Sequence, residues 1–333
     1  MPDPILVVED LRVEFPTPDG IVRAVNGVSL ALQRGRTLVI TGESGSGKST
    51  VGLSVLNLIP PPGRIVSGRV LFDGNDLLTL PGDQLRRIRG REIGIVFQDA
   101  STSLNPVLTV GQQVEEIITT HKDVGRREAR QMAQEVLGRM GLPQPDEVVK
   151  RYPFQLSGGM AQRVMIAIAT ALNPEVLILD EPTSALDVTV QASIMDDLKR
   201  LQAESGTSII LITHDLGLVA QMADKVAMMY AGFVVEYGDV RTIFARPRHP
   251  YTWSLLGSRP RLDSDDRGSL TVIKGTPPSL IDLPDECPFL PRCPKAVSEC
   301  RIGPMPPLNA IDDPGHLLAC YNPIFQEEVE VAR

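Results

Sequence analysis

The hydrophobic positions of this chain form short apolar runs that alternate with stretches of helical periodicity. Four compact runs have the length and composition of buried strands: 37–41, 93–98, 175–180 and 208–213. Helical stretches separate such runs, as in the stripe of Val190, Ile194, Leu198 and Leu201, which ends at Gly206. This alternation indicates an α/β fold whose core is a mostly parallel sheet covered on both faces.

Three segments depart from this alternation. Two strand-like runs on either side of Gly20 predict a β-hairpin, and with it an antiparallel β subdomain, near the start of the chain. The segment at about 99–170 is mainly helical, which predicts a helical subdomain inserted into the sheet domain. The chain becomes rich in proline and loop-like after about residue 250. We therefore predict a domain at 1–250 and a C-terminal extension at 251–333.

Composition and charge narrow the function classes. The net charge of −8 and the pI near 5.2 argue against a general nucleic-acid binder, because such proteins usually have a basic face. The N-terminus lacks the basic and apolar regions of a secretion signal. The run 164–172 is among the longest apolar runs and is about half as long as a membrane span. We expect a cytosolic chain that can still dock on a membrane protein.

The sequence GESGSGKST, residues 42–50, follows the first apolar run and precedes a helical stretch. It fits the phosphate-loop pattern G-x₄-G-K-S in the strand–loop–helix context that this motif requires. Its backbone N–H groups can converge on phosphates, Lys48 supplies a positive charge, and the Ser49 hydroxyl can bind Mg²⁺. We predict that nucleotide is bound by this whole segment: Gly42, Ser44, Gly45, Ser46, Gly47, Lys48, Ser49 and Thr50.

Polar side chains follow three of the other predicted strands. Asp180 ends one apolar run, where its carboxylate can bind Mg²⁺ directly or through water, and Glu181 is placed to act as general base. Gln98 and His214 follow two further runs. Because the carboxyl ends of parallel strands meet at one edge of a sheet, we expect these groups near the nucleotide.

A second candidate anion site lies at LSGGM, residues 156–160. Ser157, Gly158 and Gly159 begin a helical stretch, whose exposed N–H groups and dipole favour a phosphate. A single domain would then have two phosphate-binding elements.

The order of these motifs resembles that of the ATP-binding-cassette ATPases, over roughly residues 5–250. The resemblance implies that the signature residues Ser157, Gly158 and Gly159 contact ATP bound to a partner's phosphate loop, in a head-to-tail pair of cassettes. It also implies that Asp187, in the D-loop SALD, reaches across this pair. The second phosphate-binding element would then serve the partner's nucleotide.

The same resemblance assigns further roles within one cassette. Phe15 occupies the position of the aromatic residue that stacks on adenine. Gln98 corresponds to the glutamine that senses Mg²⁺ and the transport partner, and His214 to the histidine that contacts the γ-phosphate. The predicted catalytic residues are Glu181, His214 and Lys48, and the predicted Mg²⁺ ligands are Ser49, Gln98 and Asp180.

Several cassette classes are possible. Translation-type proteins usually carry two cassettes, whereas one phosphate loop occurs here, and chromosome-type ATPases insert a long coiled coil between phosphate loop and signature. Glu181 and His214 argue against a non-catalytic regulatory cassette. We therefore favour a transporter ATPase, with a soluble non-transport ATPase as the alternative.

Three segments outside the catalytic motifs resemble the oligopeptide/dipeptide importers, namely 98–114, 248–260 and 287–300. One departure is Phe154, where histidine is common in this subfamily, and we expect it to affect packing near the signature. The resemblance implies uptake of short peptides, although related systems import nickel chelates or other small solutes. It also implies a second cassette subunit, two permease subunits, an extracytoplasmic substrate-binding protein, and a peripheral location on the cytoplasmic face of the membrane.

The four cysteines lie between residues 287 and 320, with five, six and nineteen residues between successive members. This spacing differs from the paired C-x₂-C of a zinc ribbon. Relatives with this pattern carry a [4Fe–4S] cluster, so the resemblance implies one here, with zinc, free thiols or disulfides as alternatives. We expect His316 to be a surface residue rather than a ligand. The predicted cluster ligands are Cys287, Cys293, Cys300 and Cys320.

Overall fold

The computed structural model describes residues 3–184, 186–258 and 273–325. The strands are β1 (Pro4–Thr17), β2 (Gly20–Gln33), β3 (Thr37–Thr41), β4 (Arg64–Phe72), β5 (Asn75–Asp76), β6 (Ile93–Val96), β7 (Val176–Asp180), β8 (Ser208–Thr213), β9 (Lys225–Tyr230), β10 (Phe233–Asp239), β11 (Asn309–Ala310) and β12 (Leu317–Leu318). The α-helices are α1 (Lys48–Val55), α2 (Gly82–Ile88), α3 (Ala100–Ser103), α4 (Val110–His121), α5 (Arg126–Arg139), α6 (Pro145–Val148), α7 (Gly158–Thr170), α8 (Val188–Ser205), α9 (Leu216–Met222), α10 (Val240–Ala245) and α11 (Pro250–Gly257). Single 3₁₀ turns lie at Pro153–Gln155, Leu290–Arg292 and Ser298–Arg301.

Contacts divide the chain into two compact units, each assembled from separate segments. The first unit contains Met1–Leu6, Leu32–Thr37 and Leu71–Ile212. The second unit contains Val7–Ala31, Leu38–Val70 and Thr213–Arg333.

The first unit contains a parallel sheet in the order β6-β7-β8. Ile93 pairs with Val176 in one ladder, and Asp180 pairs with Ile212 in the other. Every residue of β7 is buried, as expected for an apolar strand covered on both faces. These strands confirm the sequence prediction for the three apolar runs.

The helices α3 to α7 fall within the segment predicted to be helical. Thr109 and Gln112 form a reciprocal capping box at the start of α4, which satisfies backbone donors that the helix itself leaves unpaired. Helix α5 buries Ala129, Ala133 and Val136 on its apolar stripe and contacts both α4 and α7. The helical content is confirmed, while the domain boundaries at 99–170 and 250 stay predictions.

The second unit contains a sheet in the order β3-β9-β10-β12-β11. β3 and β9 are parallel, and the ladders from β9 through β10 and β12 to β11 are antiparallel. The short strands β11 and β12 of the C-terminal extension therefore belong to this sheet. The extension is thus not made of loops alone, as the sequence suggested. Helix α11 also lies in the segment that the sequence suggested was loop-like.

A further sheet has the order β2-β1-β4 in this unit. The turn between β1 and β2 depends on Gly20, which has φ of 136° and whose added Cβ would lie 2.7 Å from Ile281 Cγ2. The predicted hairpin strands are thus confirmed. Within the described ranges, the structure contains no helix with both the length and the apolar character that crossing a bilayer requires.

Candidate functional site

The phosphate loop lies in the second unit, between the end of β3 at Thr41 and the start of α1 at Lys48. Gly47 is the N-terminal cap of α1 and has a left-handed backbone, with φ of 95°. The first N–H groups of any α-helix have no acceptor within that helix, so a helix N-terminus at this loop can bind an anion.

Two glycines of this loop are required by close backbone approach. A Cβ added at Gly42 would lie 2.0 Å from the Met229 carbonyl oxygen, and one at Gly47 would lie 2.1 Å from the Ala24 carbonyl oxygen. Neither distance is compatible with a side chain. The neighbouring backbone therefore fixes the shape of the loop.

Gly47→Ala is expected to weaken ATP binding at least tenfold and to lower the free energy of unfolding by about 1–3 kcal/mol, because the new Cβ meets backbone at a positive φ. Isothermal titration with Mg-ATP and thermal melting measure the two effects. Gly82→Ala is the matched control, since a Cβ there meets no atom within 4 Å. Unchanged affinity in Gly47→Ala would contradict the assigned loop geometry.

Lys48 is buried and bonded to its own loop. Its Nζ donates to the carbonyl oxygens of Gly42 and Glu43, both at 2.8 Å. Ser46 is also buried, Ser49 and Thr50 are half-buried, and Ser44 and Gly45 are exposed. The loop is thus ordered, with its central part open to solvent.

The two other predicted nucleotide contacts in this unit are less enclosed. Phe15, in β1, is half-buried, and a Cβ on Gly63 would lie 2.4 Å from its ring. His214 follows β8 and is exposed. Contact of Phe15 with adenine and of His214 with the γ-phosphate stay predictions.

In the first unit, the predicted acidic residues lie at the end of β7. Asp180 is buried with 8% of its surface exposed, and Glu181 is half-buried. Glu181 has φ of 47°, an uncommon value for a residue with a side chain, and its N–H donates to the Ile212 carbonyl at 2.9 Å. Strained backbone of this kind is frequent at functional sites, where the surrounding ladder holds it in place.

Gln98, two residues beyond β6, is exposed and connected to the D-loop. The Ser184 hydroxyl donates to the Gln98 carbonyl oxygen at 3.3 Å. Through this bond, the glutamine segment is joined to the segment that follows Glu181. The next residue of the D-loop, at position 185, lies outside the described residues.

The signature residues begin helix α7. Ser157 is its N-terminal cap and its hydroxyl accepts a hydrogen bond from the Met160 N–H at 3.4 Å. Ser157 and Gly158 are exposed, so the positive end of the helix dipole is open to a ligand. The structure thus confirms the predicted helix N-terminus. Contact of the signature residues with ATP on a partner cassette stays a prediction.

Asp187 has a local role that sequence reasoning did not identify. It caps α8, and its Oδ1 accepts from the Val190 N–H at 2.9 Å. A Cβ on Gly159 would lie 2.7 Å from Val190 Cγ1, so the starts of α7 and α8 are closely packed. The signature and the D-loop therefore form one surface of the first unit.

The four cysteines line one small cavity in the second unit, which His249 and Phe289 also line. None of these four described residues forms a disulfide: Cys287, Cys293, Cys300 and Cys320. Among the described residues, however, no three or more His, Cys, Asp or Glu side chains are grouped as the ligands of a metal ion would be. The cluster and its zinc alternative are thus unconfirmed predictions.

The described part of the cavity lining contains four cysteines and no carboxylate, a donor set of the kind that a thiolate-bound metal would use. Burial raises the pKa of Cys287 to about 11 and that of Cys320 to about 12, and it also raises the pKa of Cys293. Neighbouring thiols raise these values further, because several negative charges would share one cavity. A cationic metal centre would reverse this effect, since it stabilises thiolates.

Comparisons with known proteins agree with these elements. The family described as "ABC transporter" matches residues 25–184, and "Oligopeptide/dipeptide transporter, C-terminal region" matches residues 235–300. The oligopeptide transport ATP-binding protein OppD of Salmonella typhimurium is 48% identical over 320 residues, which cover 96% of this chain and 94% of that protein. The chain belongs to the oligopeptide/dipeptide ABC transporter ATP-binding family.

Further relatives and solved structures are consistent with this family assignment. The dipeptide transport ATP-binding protein DppD of Bacillus subtilis is 47% identical over 319 residues, with 95% of this chain and 94% of that protein covered. A dimeric post-hydrolysis state of the ATP-binding cassette MJ0796 bound to ADP and Pi is 31% identical, with a TM-score of 0.65. That similarity covers 71% of this chain and 99% of the cassette.

The C-terminal part of this transporter-family chain contains a buried polar network centred on Glu236, which is fully buried. Its carboxylate accepts from the N–H groups of Arg248 and His249 at 2.7 and 3.0 Å, and it bonds His316 Nε2 at 2.8 Å. The prediction that His316 is a surface residue is therefore wrong. A lone histidine in a proline-rich segment gave no sequence signal of a buried carboxylate 80 residues away.

The family-specific segment 248–260 is described only as far as residue 258. Within it, Arg248 forms a bidentate ion pair with Asp312 at 2.8 and 3.0 Å. This pair and the Glu236 network attach the extension to the sheet of the second unit. Phe154, the departure from the subfamily pattern, is exposed and stacks on Tyr152 with ring centroids 5.6 Å apart.

Sequence reasoning also missed an ion pair at the phosphate loop. Arg292, between Cys287 and Cys293, donates to both carboxylate oxygens of Glu43 at 2.7 and 3.0 Å. The two residues are 249 positions apart, and neither belongs to the invariant positions of a phosphate-loop pattern.

Proposed function

We propose that this chain is the ATP-hydrolysing subunit of an ABC importer that takes up short peptides. The observation that carries the proposal is the match along nearly the whole chain to oligopeptide and dipeptide transport ATP-binding proteins. The ordered phosphate loop and the acidic end of β7 supply the residue types that such an activity needs.

In this proposal, the phosphate loop binds the triphosphate through its N–H groups and Lys48, and Ser49, Asp180 and Gln98 would hold Mg²⁺. Glu181 accepts the proton of the attacking water, and His214 and Lys48 stabilise the charge that develops on the transferred phosphoryl group. The position of Glu181 directly after β7, with its backbone N–H bonded to the Ile212 carbonyl, supports its role as the base.

The exposed N-terminus of α7 supports a role in trans. A helix dipole stabilises the γ-phosphate more than the shorter diphosphate, because the extra charge lies nearest to the N–H groups. Two cassettes would therefore close around ATP and separate after hydrolysis. The cap residue Asp187 packs in the same surface and would face the same partner.

The assembly that we propose contains this chain, a second and distinct cassette subunit, two permease subunits and an extracytoplasmic substrate-binding protein. The chain would lie peripherally on the cytoplasmic face of the membrane. Motion of the helical segment and of the Gln98 region would transmit cassette closure to the permeases.

The subunit proposal is tested by purifying the tagged chain from its native membrane in mild detergent and identifying the co-purifying proteins by mass spectrometry. Two multi-span permeases and a second cassette subunit are expected. Recovery of the chain alone, or with ribosomes, would contradict a transport function and favour a soluble ATPase.

We further propose that the cysteine cavity holds a structural [4Fe–4S] cluster, with zinc as the alternative metal. Four thiols lining one cavity, without a carboxylate among them, support a thiolate-bound centre. Cys287, Cys293, Cys300 and Cys320 would be the ligands, and the cluster would cross-link the segment that they span.

Anaerobic purification is expected to give about four iron and four sulfide per chain, and Cys300→Ser is expected to lose most of this iron. Metal and sulfide analysis measures both. Ser298→Ala, an exposed neighbour in the same 3₁₀ turn, is the control that should keep the iron. One zinc without sulfide would contradict the cluster, and no metal at all would contradict both.

A further inference from the structure

Glu43, the second residue of the phosphate loop, is held from three sides. Its N–H donates to the Tyr251 hydroxyl oxygen at 2.8 Å, its carbonyl accepts from Lys48 Nζ at 2.8 Å, and its carboxylate accepts two bonds from Arg292. All three contacts act on one loop residue, and Glu43 shares with Gly42 the carbonyl contacts that hold Lys48.

Arg292 reaches the loop from a 3₁₀ turn within the cysteine segment. Its side chain is only 6% exposed, and its Nε donates to the Lys274 carbonyl at 3.1 Å. Its Nη1 also lies 3.1 Å from the Tyr230 hydroxyl oxygen. The guanidinium is thus fixed by three partners, and hydrogen bonding to Glu43 raises its pKa above the ordinary value.

The aromatic residues around this ion pair form a rigid support. Tyr230 and Tyr251 have ring centroids 4.7 Å apart, and Phe289 lies 5.2 Å from Tyr230 and 5.5 Å from Tyr251. All three side chains are nearly inaccessible to solvent. The side chains of Arg292 and Glu43 are only 6% and 21% exposed, so this ion pair is less screened by water than a surface pair.

We propose that Arg292 is a positioning residue for ATP binding, which acts through Glu43 by fixing the phosphate loop and neutralising a carboxylate next to the triphosphate. Preorganisation of a binding loop increases affinity because less ordering is needed when ligand binds. Neutralisation adds to this, since an unpaired carboxylate would repel the phosphates. This inference rests on the proposed ATPase activity. It gives the C-terminal extension a role in holding the phosphate loop in place.

The test measures Mg-ATP affinity of the full-length chain by isothermal titration and the KM and kcat for ATP in the assembled transporter. Arg292→Ala is expected to weaken ATP binding about tenfold and to raise KM similarly, with kcat changed by less than about twofold. Arg292→Lys keeps the charge but loses the bidentate geometry, so it is expected to restore part of the affinity.

Action through Glu43 is tested with the double variant Glu43→Gln/Arg292→Ala. It is expected to bind ATP at least as tightly as Arg292→Ala, because the unpaired carboxylate has been removed. With Glu43→Gln measured alone as the other single variant, effects that multiply in the double variant would overturn the proposal, as would unchanged affinity in Arg292→Ala.

Asp312→Asn is the matched control, because it breaks the other bidentate arginine–carboxylate pair of the extension. It is expected to lower the melting temperature without changing ATP affinity. An equal loss of affinity in Asp312→Asn and Arg292→Ala would show a general structural role and overturn the proposal. If no variant affects affinity while wild-type transporter hydrolyses ATP, the positioning role fails and the proposed function stands.

Discussion

Glu181→Gln is expected to lower ATP turnover of the assembled transporter about a hundredfold or more while ATP binding is kept. The amide is nearly the same size as the carboxylate but cannot accept the proton of the attacking water, and general-base catalysis contributes about 10²–10⁴-fold to a rate. The backbone of Glu181 is held by its N–H bond to Ile212, which the substitution leaves in place. The loss should therefore fall on kcat and not on ATP affinity.

Phosphate release at saturating ATP and titration with Mg-ATP measure these two quantities. Glu204→Gln, an exposed position on helix α8, is the control and should hydrolyse ATP like the wild type. Turnover within about tenfold of the wild type in Glu181→Gln would exclude Glu181 as the base.

Ser157→Arg is expected to abolish most ATP hydrolysis of the transporter without weakening ATP binding to the isolated chain. The arginine side chain would occupy the exposed N-terminus of α7, where its bulk would exclude a partner's γ-phosphate from the first N–H groups of the helix. The chain's own phosphate loop is a different element, so its affinity should not change.

The effect of losing the Ser157 helix cap must be distinguished from the effect of losing contact with the partner's nucleotide. Ser157→Ala removes the bond from the Met160 N–H, which is expected to lower stability by about 1 kcal/mol but to keep most hydrolysis. Titration of each isolated variant with ATP, beside turnover of each assembled transporter, distinguishes the effects. Weaker ATP binding to the isolated Ser157→Arg chain would contradict the assignment in trans.

Elements with a strong local pattern could be predicted from the sequence. The buried strand β7 and the phosphate loop depend on adjacent residues, and Gly42 and Gly47 lie where backbone leaves no room for a Cβ. The stripe on α8 and its end at Gly206 were likewise evident from periodicity, and Gly206 has the left-handed backbone of a helix C-cap.

The rest depends on contacts between distant parts of the chain. The bond from Arg292 to Glu43 joins positions 249 residues apart, and the burial of His316 against Glu236 follows from the pairing of β12 with β10. Charge and spacing along the sequence contain no signal for such pairs, because the fold alone brings them together. Strands β9 and β10 were missed for another reason, since their apolar runs at 226–230 and 233–235 are a local signal of buried strands.

The central claim is that this chain converts ATP hydrolysis into peptide import. It is tested most directly by reconstituting the transporter in proteoliposomes, with ATP beside the cassettes and the substrate-binding protein with a labelled short peptide on the other side. We expect peptide accumulation that requires ATP and is lost when the cassette subunit carries Lys48→Met. Hydrolysis without accumulation of any peptide, or accumulation of a nickel chelate instead, would contradict the account.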